Sequence, residues 1–309
     1  MPFLVPAIGF SAMTFIVLEI YNRYDGLPPI SSNVDDLKWT FLGLAIILMP
    51  INWLIESLKW GKLIDVFQSL SRMQKYQSVF YGVSASILTP NRIGDYGGRL
   101  RYIDKDNRLK ALHASFVSSF YQTTVTLFFG ILGLLIYITS FSNFVLTNGL
   151  YPILAVFTLV YLFLLFKMKS TIEWVLNFNW AARQQEAFNW FLGLSRSMLG
   201  SIFSLAAIRY FVFLIQYFLV FYFFNSSFNW IELASGIAIL YLFTTIIPSG
   251  VVTDLIIRGA IGLVIFTPIL QDEGTILWSI ALIWIINLAI PALIGGILFL
   301  LYPFKRHVK

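Results

Sequence analysis

The amino-acid sequence predicts an all-α, polytopic membrane helical bundle with about six full spans and two opposed re-entrant helical hairpins. Of its 309 residues, 58% are hydrophobic and only 12% are charged, whereas roughly a quarter are charged in a soluble domain. Apolar stretches of spanning length recur along the chain, and two further stretches are broken by proline, glycine and charge. We predict one integral membrane domain, 1–309, with interrupted segments at 79–103 and 233–269.

Full spans are predicted wherever ~20 apolar residues follow one another. The candidate spans are 3–21, 40–58, 112–138, 151–166, 202–224 and 276–302. The first stretch lacks the basic start and the small-residue cleavage site of a signal peptide, so we predict a retained helix. Charged and aromatic residues alternate within 176–200, which predicts an interfacial amphipathic helix or a plain cytoplasmic loop helix.

Basic residues predict the orientation of the spans, because Lys and Arg gather in short cytoplasmic loops. The loops 139–150, 225–230 and 271–275 contain neither Lys nor Arg and are predicted to lie outside. The basic stretches and the tail at 305–309 are then cytoplasmic, and so are both termini.

This orientation creates a parity condition for the first interrupted segment. Basic residues flank 79–88 on both sides, so this stretch has to enter the membrane and return. A re-entrant hairpin with arms 78–88 and 93–102 and its tip near 89–92 meets the condition if protein encloses its backbone. The second interrupted segment lies between two outside loops, where a hairpin from the opposite face and two full crossings both fit.

The two interruptions share a motif. TPNRIGDYGGR and IPSGVVTDLIIRG both contain proline, glycine, aspartate and, four residues after the aspartate, arginine. In a helix this spacing places Asp95 beside Arg99 and Asp254 beside Arg258. A helix start together with a guanidinium binds phosphate or carboxylate well, and paired interruptions are typical of inverted-repeat transporters.

The alternative for both pairs is a purely structural ion pair. An exposed pair contributes only about 0.3–0.5 kcal/mol, whereas Arg or Asp near the bilayer centre costs ~2.5–3.5 kcal/mol. Pairs that lie deep in the membrane therefore favour a functional role, and pairs at the interface favour a structural one.

Two other charged residues lie within predicted spans. Glu56 either pairs with Lys59 or Lys62 near a helix end, which we favour, or meets a cation inside the bundle. Arg209 lies deeper, and is either the counter-ion of Glu56 or a ligand contact.

Several classes of protein are disfavoured by the residues present. The chain has no cysteine and only two histidines, His113 and His307, far apart in sequence, so we expect no metal and no cofactor. Its net charge of +6 lies in the gaps between spans, which argues against nucleic-acid binding. Gln216 and Asn287 are predicted to form hydrogen bonds between helices or to lie at helix ends, rather than to contact a ligand.

The sequence SILTPNRIGDYGGR, preceded by NWLIESLKW and followed by LAAIRYFVFLIQY and IIPSG, resembles the transmembrane region of lysylphosphatidylglycerol synthases, a flippase-like family. The resemblance covers most of the chain, and Asp95 stands where the family usually has glutamate. It implies movement of an anionic phospholipid or a polyprenyl-phosphate-linked lipid between leaflets of a bacterial cytoplasmic membrane. The family's synthase domain would follow Lys309, so we expect no enzymatic activity.

The predicted site combines the motif with this resemblance. Arg99 and Arg258 would bind a lipid phosphate, Asp95 and Asp254 would hold these arginines in the empty site, and Arg92 would attract anionic headgroups at the entrance. Two alternatives stay open: a secondary transporter of a small organic anion, and a non-transporting partner of an envelope biosynthesis enzyme.

Overall fold

The computed structural model describes residues 36–87, 89, 92–141, 167–178, 185–224 and 227–301, and its regular structure within them is helical. The α-helices are α1 (Asp36–Ile64), α2 (Arg72–Ile87), α3 (Gly94–Gly98), α4 (Arg108–Phe141), α5 (Met168–Leu176), α6 (Gln185–Leu192), α7 (Arg196–Phe223), α8 (Trp230–Ile246), α9 (Val251–Leu270), α10 (Glu273–Trp284) and α11 (Ile290–Leu301). 3₁₀ turns lie at Arg99–Tyr102 and Lys105–Asn107, and a π turn at Ile285–Ala289 joins α10 to α11.

Five helical stretches are long and apolar enough to cross a membrane: Lys38–Ile64, Lys105–Phe141, Arg196–Phe223, Thr253–Leu270 and Glu273–Leu301. The prediction of an all-α polytopic membrane bundle is thereby confirmed. Four of these stretches correspond to predicted spans, whereas the fifth belongs to the second interrupted segment. The predicted spans 3–21 and 151–166 and both termini lie outside the described residues, and the cytoplasmic termini stay a prediction.

Helices α1 and α7 pack side by side in opposite directions. Near one end, Lys62 Nζ donates to Ser201 Oγ at 2.8 Å. Towards the other end, Gln216 Nε2 donates to the carbonyl oxygen of Ala45 at 2.8 Å. The basic end of α1 and the start of α7 therefore lie on the same side of the bundle, as the distribution of Lys and Arg predicts.

The first interrupted segment folds back on itself. Helix α2 ends at Ile87 and α3 begins at Gly94, whose N–H donates to Thr89 Oγ1 at 2.7 Å. Gly98 lies so close to the carbonyl group of Tyr81 that an added Cβ would overlap it. The helix–break–helix prediction is confirmed, although its first arm begins at Arg72 rather than at 78. Pro90 and Asn91 lie outside the described residues.

The second interrupted segment has two long arms. Helix α8 has 17 residues, α9 has 20 residues, and residues 247–250 separate them. At 1.5 Å per residue, the arms are about 25 and about 30 Å long, close to the thickness of a bilayer core. Of the two arms, Thr253–Leu270 is long and apolar enough to cross a membrane by itself, whereas Trp230–Ile246 is a shorter apolar helix. The predicted helix–break–helix pattern is present, and a re-entrant hairpin and two crossings both stay predictions for this segment.

The prediction of one helix over 176–200 is wrong. Helix α5 ends at Leu176, α6 ends at Leu192, and α7 begins only at Arg196. The side chain of Ser195 caps α7 by accepting a hydrogen bond from the N–H of Met198 at 3.1 Å. A serine cap satisfies a free N–H group at a helix start, which explains why a new helix begins here.

Candidate functional site

A partly open cavity of about 570 Å³ lies between the two interrupted segments and helices α1, α4 and α7. All seven residues predicted from the sequence as site residues line it: Glu56, Arg92, Asp95, Arg99, Arg209, Asp254 and Arg258. The structure therefore brings the two interruptions together in space. That these residues bind a ligand stays a prediction.

Each interrupted segment contains the ion pair that its motif predicts. Arg99 Nη2 lies 2.8 Å from Asp95 Oδ2, and Arg99 Nε donates to Asp95 Oδ1 at 3.1 Å. In the second segment, Arg258 Nε donates to Asp254 Oδ2 at 2.9 Å. Helical spacing places both partners on one face, and the two-point contact of Arg99 is the stronger geometry.

Arg92 joins the two segments. Its Nη2 lies 3.0 Å from Asp254 Oδ2, with 43% of the Arg92 side chain exposed and 4% of that of Asp254. Arg92 has φ 56°, a left-handed conformation that costs a non-glycine residue about 1–3 kcal/mol. Asp254 Oδ1 also accepts a hydrogen bond from Ser249 Oγ at 3.4 Å. Arg92 thus stands at the rim of the cavity with its charge directed at the opposite segment.

Glu56 is surrounded by three basic side chains. Its Oε2 lies 2.7 Å from Lys59 Nζ, its Oε1 lies 3.0 Å from Arg99 Nη1, and its Oε2 lies 3.5 Å from Arg209 Nη1. The favoured pairing with Lys59 is confirmed, and Arg209 is both a counter-ion of Glu56 and a cavity residue. Lys62 instead contacts Ser201.

Two further polar residues complete this part of the site, and neither was predicted as a site residue. Lys59 is fully buried and donates to Gln122 Oε1 at 3.2 Å. Arg209 donates to the same oxygen at 3.4 Å, while Gln122 Nε2 donates to the carbonyl oxygen of Ala206 at 3.3 Å. The sequence signal for Gln122 is a glutamine in the middle of an apolar span.

The cavity carries a formal excess of two positive charges, because five basic side chains line it against three acidic ones. The basic residues are Lys59, Arg92, Arg99, Arg209 and Arg258, and the acidic residues are Glu56, Asp95 and Asp254. Charges act on one another more strongly in protein interiors than in water. This formal charge favours an anionic ligand, and the identity of the ligand stays a prediction.

Apolar residues form another part of the cavity wall. Ile246 and Ile247 line the cavity at the end of α8, and they are 59% and 36% exposed. Ile93, which follows Arg92, is also exposed. The lining of the cavity therefore combines the Arg92 guanidinium with the exposed Ile246 and Ile247.

A smaller cavity of about 100 Å³, here called the aromatic annexe, adjoins the first one. Both cavities are lined by Trp53, Arg92, Arg209, Asp254, Arg258 and Leu288. The annexe is further lined by Phe213, Tyr217, Tyr241, Ile283, Trp284 and Asn287. Five of its twelve lining residues are aromatic and four are charged, whereas charged residues outnumber aromatic ones in the lining of the first cavity, here called the main cavity.

Asn287 and Gln216, for which the sequence predicts a hydrogen bond between helices or a position at a helix end, differ in the structure. Gln216 forms the expected hydrogen bond between helices, to the carbonyl oxygen of Ala45. Neither amide atom of Asn287 has a hydrogen-bond partner, although the residue is 9% exposed. Its side chain lines the aromatic annexe instead of joining two helices.

The fold and the site together define a membrane-embedded helical bundle with a positively charged cavity between its helices. Among the described residues, no group of three or more His, Cys, Asp or Glu side chains could hold a metal ion. A comparison with known proteins finds no matching family model and no matching curated protein.

Proposed function

We propose that this protein moves an anionic phospholipid or a polyprenyl-phosphate-linked lipid between the leaflets of a bacterial cytoplasmic membrane. The proposal rests on the main cavity. Both interrupted segments contribute arginines to its wall, and the side chains that line it have a formal net charge of +2. Buried charge is costly in a membrane protein and marks functional sites there. The resemblance to flippase-like proteins points to the same class of cargo.

The ion pairs supply a way to bind and release a phosphate. Asp254 holds Arg258 and Arg92 in the empty site, and an arriving phosphate offers both guanidiniums equivalent oxygen atoms. Exchange of one oxygen partner for another keeps the arginines paired throughout, which avoids the cost of an isolated buried charge. The carboxylate then competes with the phosphate and promotes its release.

The size and the rim of the cavity favour a lipid over a water-soluble anion. A volume of about 570 Å³ accommodates a ligand of the size of a headgroup, while two acyl chains have to remain outside. The exposed Ile246 and Ile247 provide an apolar surface beside the cavity that such chains can contact. A transporter of small organic anions would use the same basic residues without needing this apolar rim.

Lipid movement in reconstituted vesicles tests the proposal. We expect wild-type protein to move a fluorescent phosphatidylglycerol between leaflets, and Arg258→Ala to abolish most of this activity. Arg258→Ala is suited to the test because Arg92 still neutralises Asp254 in that variant. Arg99→Ala is measured in parallel. Arg99→Lys is added as a second variant that retains the positive charge, so that position 99 can be tested even where the alanine variant does not fold.

Arg108→Ala is the matched control, because Arg108 is exposed at the start of α4 and does not line the cavity. It should retain wild-type activity. Unchanged lipid movement in both Arg258→Ala and Arg99→Ala would contradict the proposal. Inhibition by a soluble organic phosphate, with no lipid movement by the wild type, would instead identify a transporter of small anions.

A further inference from the structure

The aromatic annexe contains buried polar atoms that have no hydrogen-bond partner. Both amide atoms of Asn287, Nε1 of Trp53 and Nε1 of Trp284 belong to this group, as does Nε of Arg209. Buried polar atoms in folded proteins are nearly always paired, so several unpaired ones around one small cavity require an explanation. A bound group that accepts and donates hydrogen bonds within the annexe would provide it.

The position of Asn287 supports such a role. The residue lies in the middle of the π turn Ile285–Ala289, between α10 and α11. Single π turns within long helices are frequently found at functional sites, because they alter the direction of side chains relative to a regular helix. Here the turn accompanies an amide that faces a cavity and forms no bond to another helix.

The walls of the annexe define the chemistry of the group. The amide both donates and accepts, the two indole groups donate, and Phe213 and Tyr241 add aromatic surface. Hydroxyl groups match these atoms because each of them donates and accepts. A cationic headgroup does not fit, since Arg92, Arg209 and Arg258 line the annexe against the single acid Asp254.

We infer that the aromatic annexe binds the uncharged, hydroxyl-bearing part of the lipid headgroup, a polyol such as glycerol or a sugar ring, next to the phosphate in the main cavity. The inference rests on the proposed function and adds the class of headgroup to it. The annexe adjoins the main cavity through Arg209 and Arg258, which line both. The phosphate and the polyol of one headgroup can therefore occupy the two cavities together.

Lipids of equal charge test the inference. Phosphatidylglycerol and phosphatidylethanol are both phosphodiesters with one negative charge, and they differ in the hydroxyl groups. We expect the full-length protein in detergent to bind phosphatidylglycerol at least about tenfold more tightly in a competition assay, because sites built for hydroxyl groups reject analogues that lack them. Phosphatidylinositol is also monoanionic, and its headgroup is a ring instead of glycerol. Whichever of phosphatidylinositol and phosphatidylglycerol binds more tightly identifies the polyol.

Asn287→Leu is the decisive variant. It should bind phosphatidylglycerol no better than phosphatidylethanol while its melting temperature stays the same or rises, because leucine removes a buried polar group that has no hydrogen-bond partner. Asn52→Leu is the matched control: Asn52 is fully buried and both of its amide atoms lack partners, yet it lines neither cavity. This control should retain the preference for the polyol lipids.

The outcomes separate the inference from the proposed function. Equal affinity of the wild type for phosphatidylethanol and both polyol lipids would overturn the inference and leave the proposed function standing. A preference that survives in Asn287→Leu would overturn it as well. Binding of none of the three lipids would overturn the proposed function together with the inference.

Discussion

The two interrupted segments share a motif but neutralise their charges differently. In the first segment, Arg99 contacts two acids, Asp95 and Glu56. In the second segment the acid is shared instead, because Asp254 contacts both Arg258 and Arg92. Arg99 therefore has two carboxylate partners, although Glu56 also contacts Lys59 and Arg209, whereas Arg258 has one carboxylate partner and shares it. Each cluster of contacting side chains keeps one formal positive charge. The same spacing in sequence therefore produces an arginine with two carboxylate partners in the first segment and an arginine that shares one carboxylate in the second. Under the proposed function, the second arginine exchanges its partner for a phosphate more readily.

The first interrupted segment is also packed more closely than the second. An added Cβ at Gly82 in α2 would overlap the side chain of Asp95, so α2 and α3 approach each other as closely as their backbones allow. At Gly250, before α9, an added Cβ would meet only Thr253 Oγ1 at 3.5 Å. The first segment is thus fixed tightly in place, and the second has space around its break.

The largest expected effect is a loss of stability on removal of Arg99. Arg99→Ala should lower the free energy of unfolding by about 3 kcal/mol, because it leaves Asp95 without its partner and removes one of the three cations at Glu56. Arg258→Ala should cost less, since Arg92 still neutralises Asp254. Thermal unfolding of the purified variants in detergent measures both. Equal losses would show that the two arginines have equivalent roles, contrary to this comparison.

A smaller effect is expected from alanine at the two glycines. Gly82→Ala should destabilise the protein by about 1–3 kcal/mol, because its methyl group displaces Asp95 and Arg99 from their packed positions. Gly250→Ala should change stability by about 0.5 kcal/mol or less, since its φ of −80° suits alanine. The same unfolding assay compares them, and a larger loss at Gly250 would reverse the assignment of the tight segment.

The smallest expected effect concerns competition between carboxylate and phosphate. Asp254→Asn should tighten the binding of phosphatidylglycerol by up to about tenfold, which corresponds to about 1.4 kcal/mol, because it removes the internal competitor of the ligand. Asp95→Asn should change binding less, since Glu56 still neutralises Arg99. Equilibrium binding to the solubilised protein measures both variants. Weaker binding by Asp254→Asn would contradict the exchange of partners.

Local geometry made a large part of the site predictable from the sequence. The pairs Asp95–Arg99 and Asp254–Arg258 follow from a spacing of four residues in a helix, and Glu56 and Arg209 are conspicuous because charge is costly within a span. Contacts between distant segments were not predictable in detail. Gln122 becomes part of the site only because α4 packs beside α1 and α7.

Asn287 shows why some residues escape prediction. Asn287 and Gln216 are both amides in apolar helices, and the sequence offers no distinction between them. The difference lies in whether another helix presents a carbonyl group, as Ala45 does for Gln216. The helix start at Ser195 was also hard to predict. It depends on the side-chain cap that Ser195 provides, and the pattern of apolar residues in 176–200 does not reveal that cap.

The excess of positive charge in the main cavity also bears on energetics. The five basic side chains are covalently part of the bundle, so they stay behind when a bound anion departs. A monoanionic headgroup that crosses the bilayer therefore carries its own charge through the membrane potential, with work of about 2.3 kcal/mol per 100 mV. In a cell with a negative interior, this work assists outward movement of the headgroup and opposes its return.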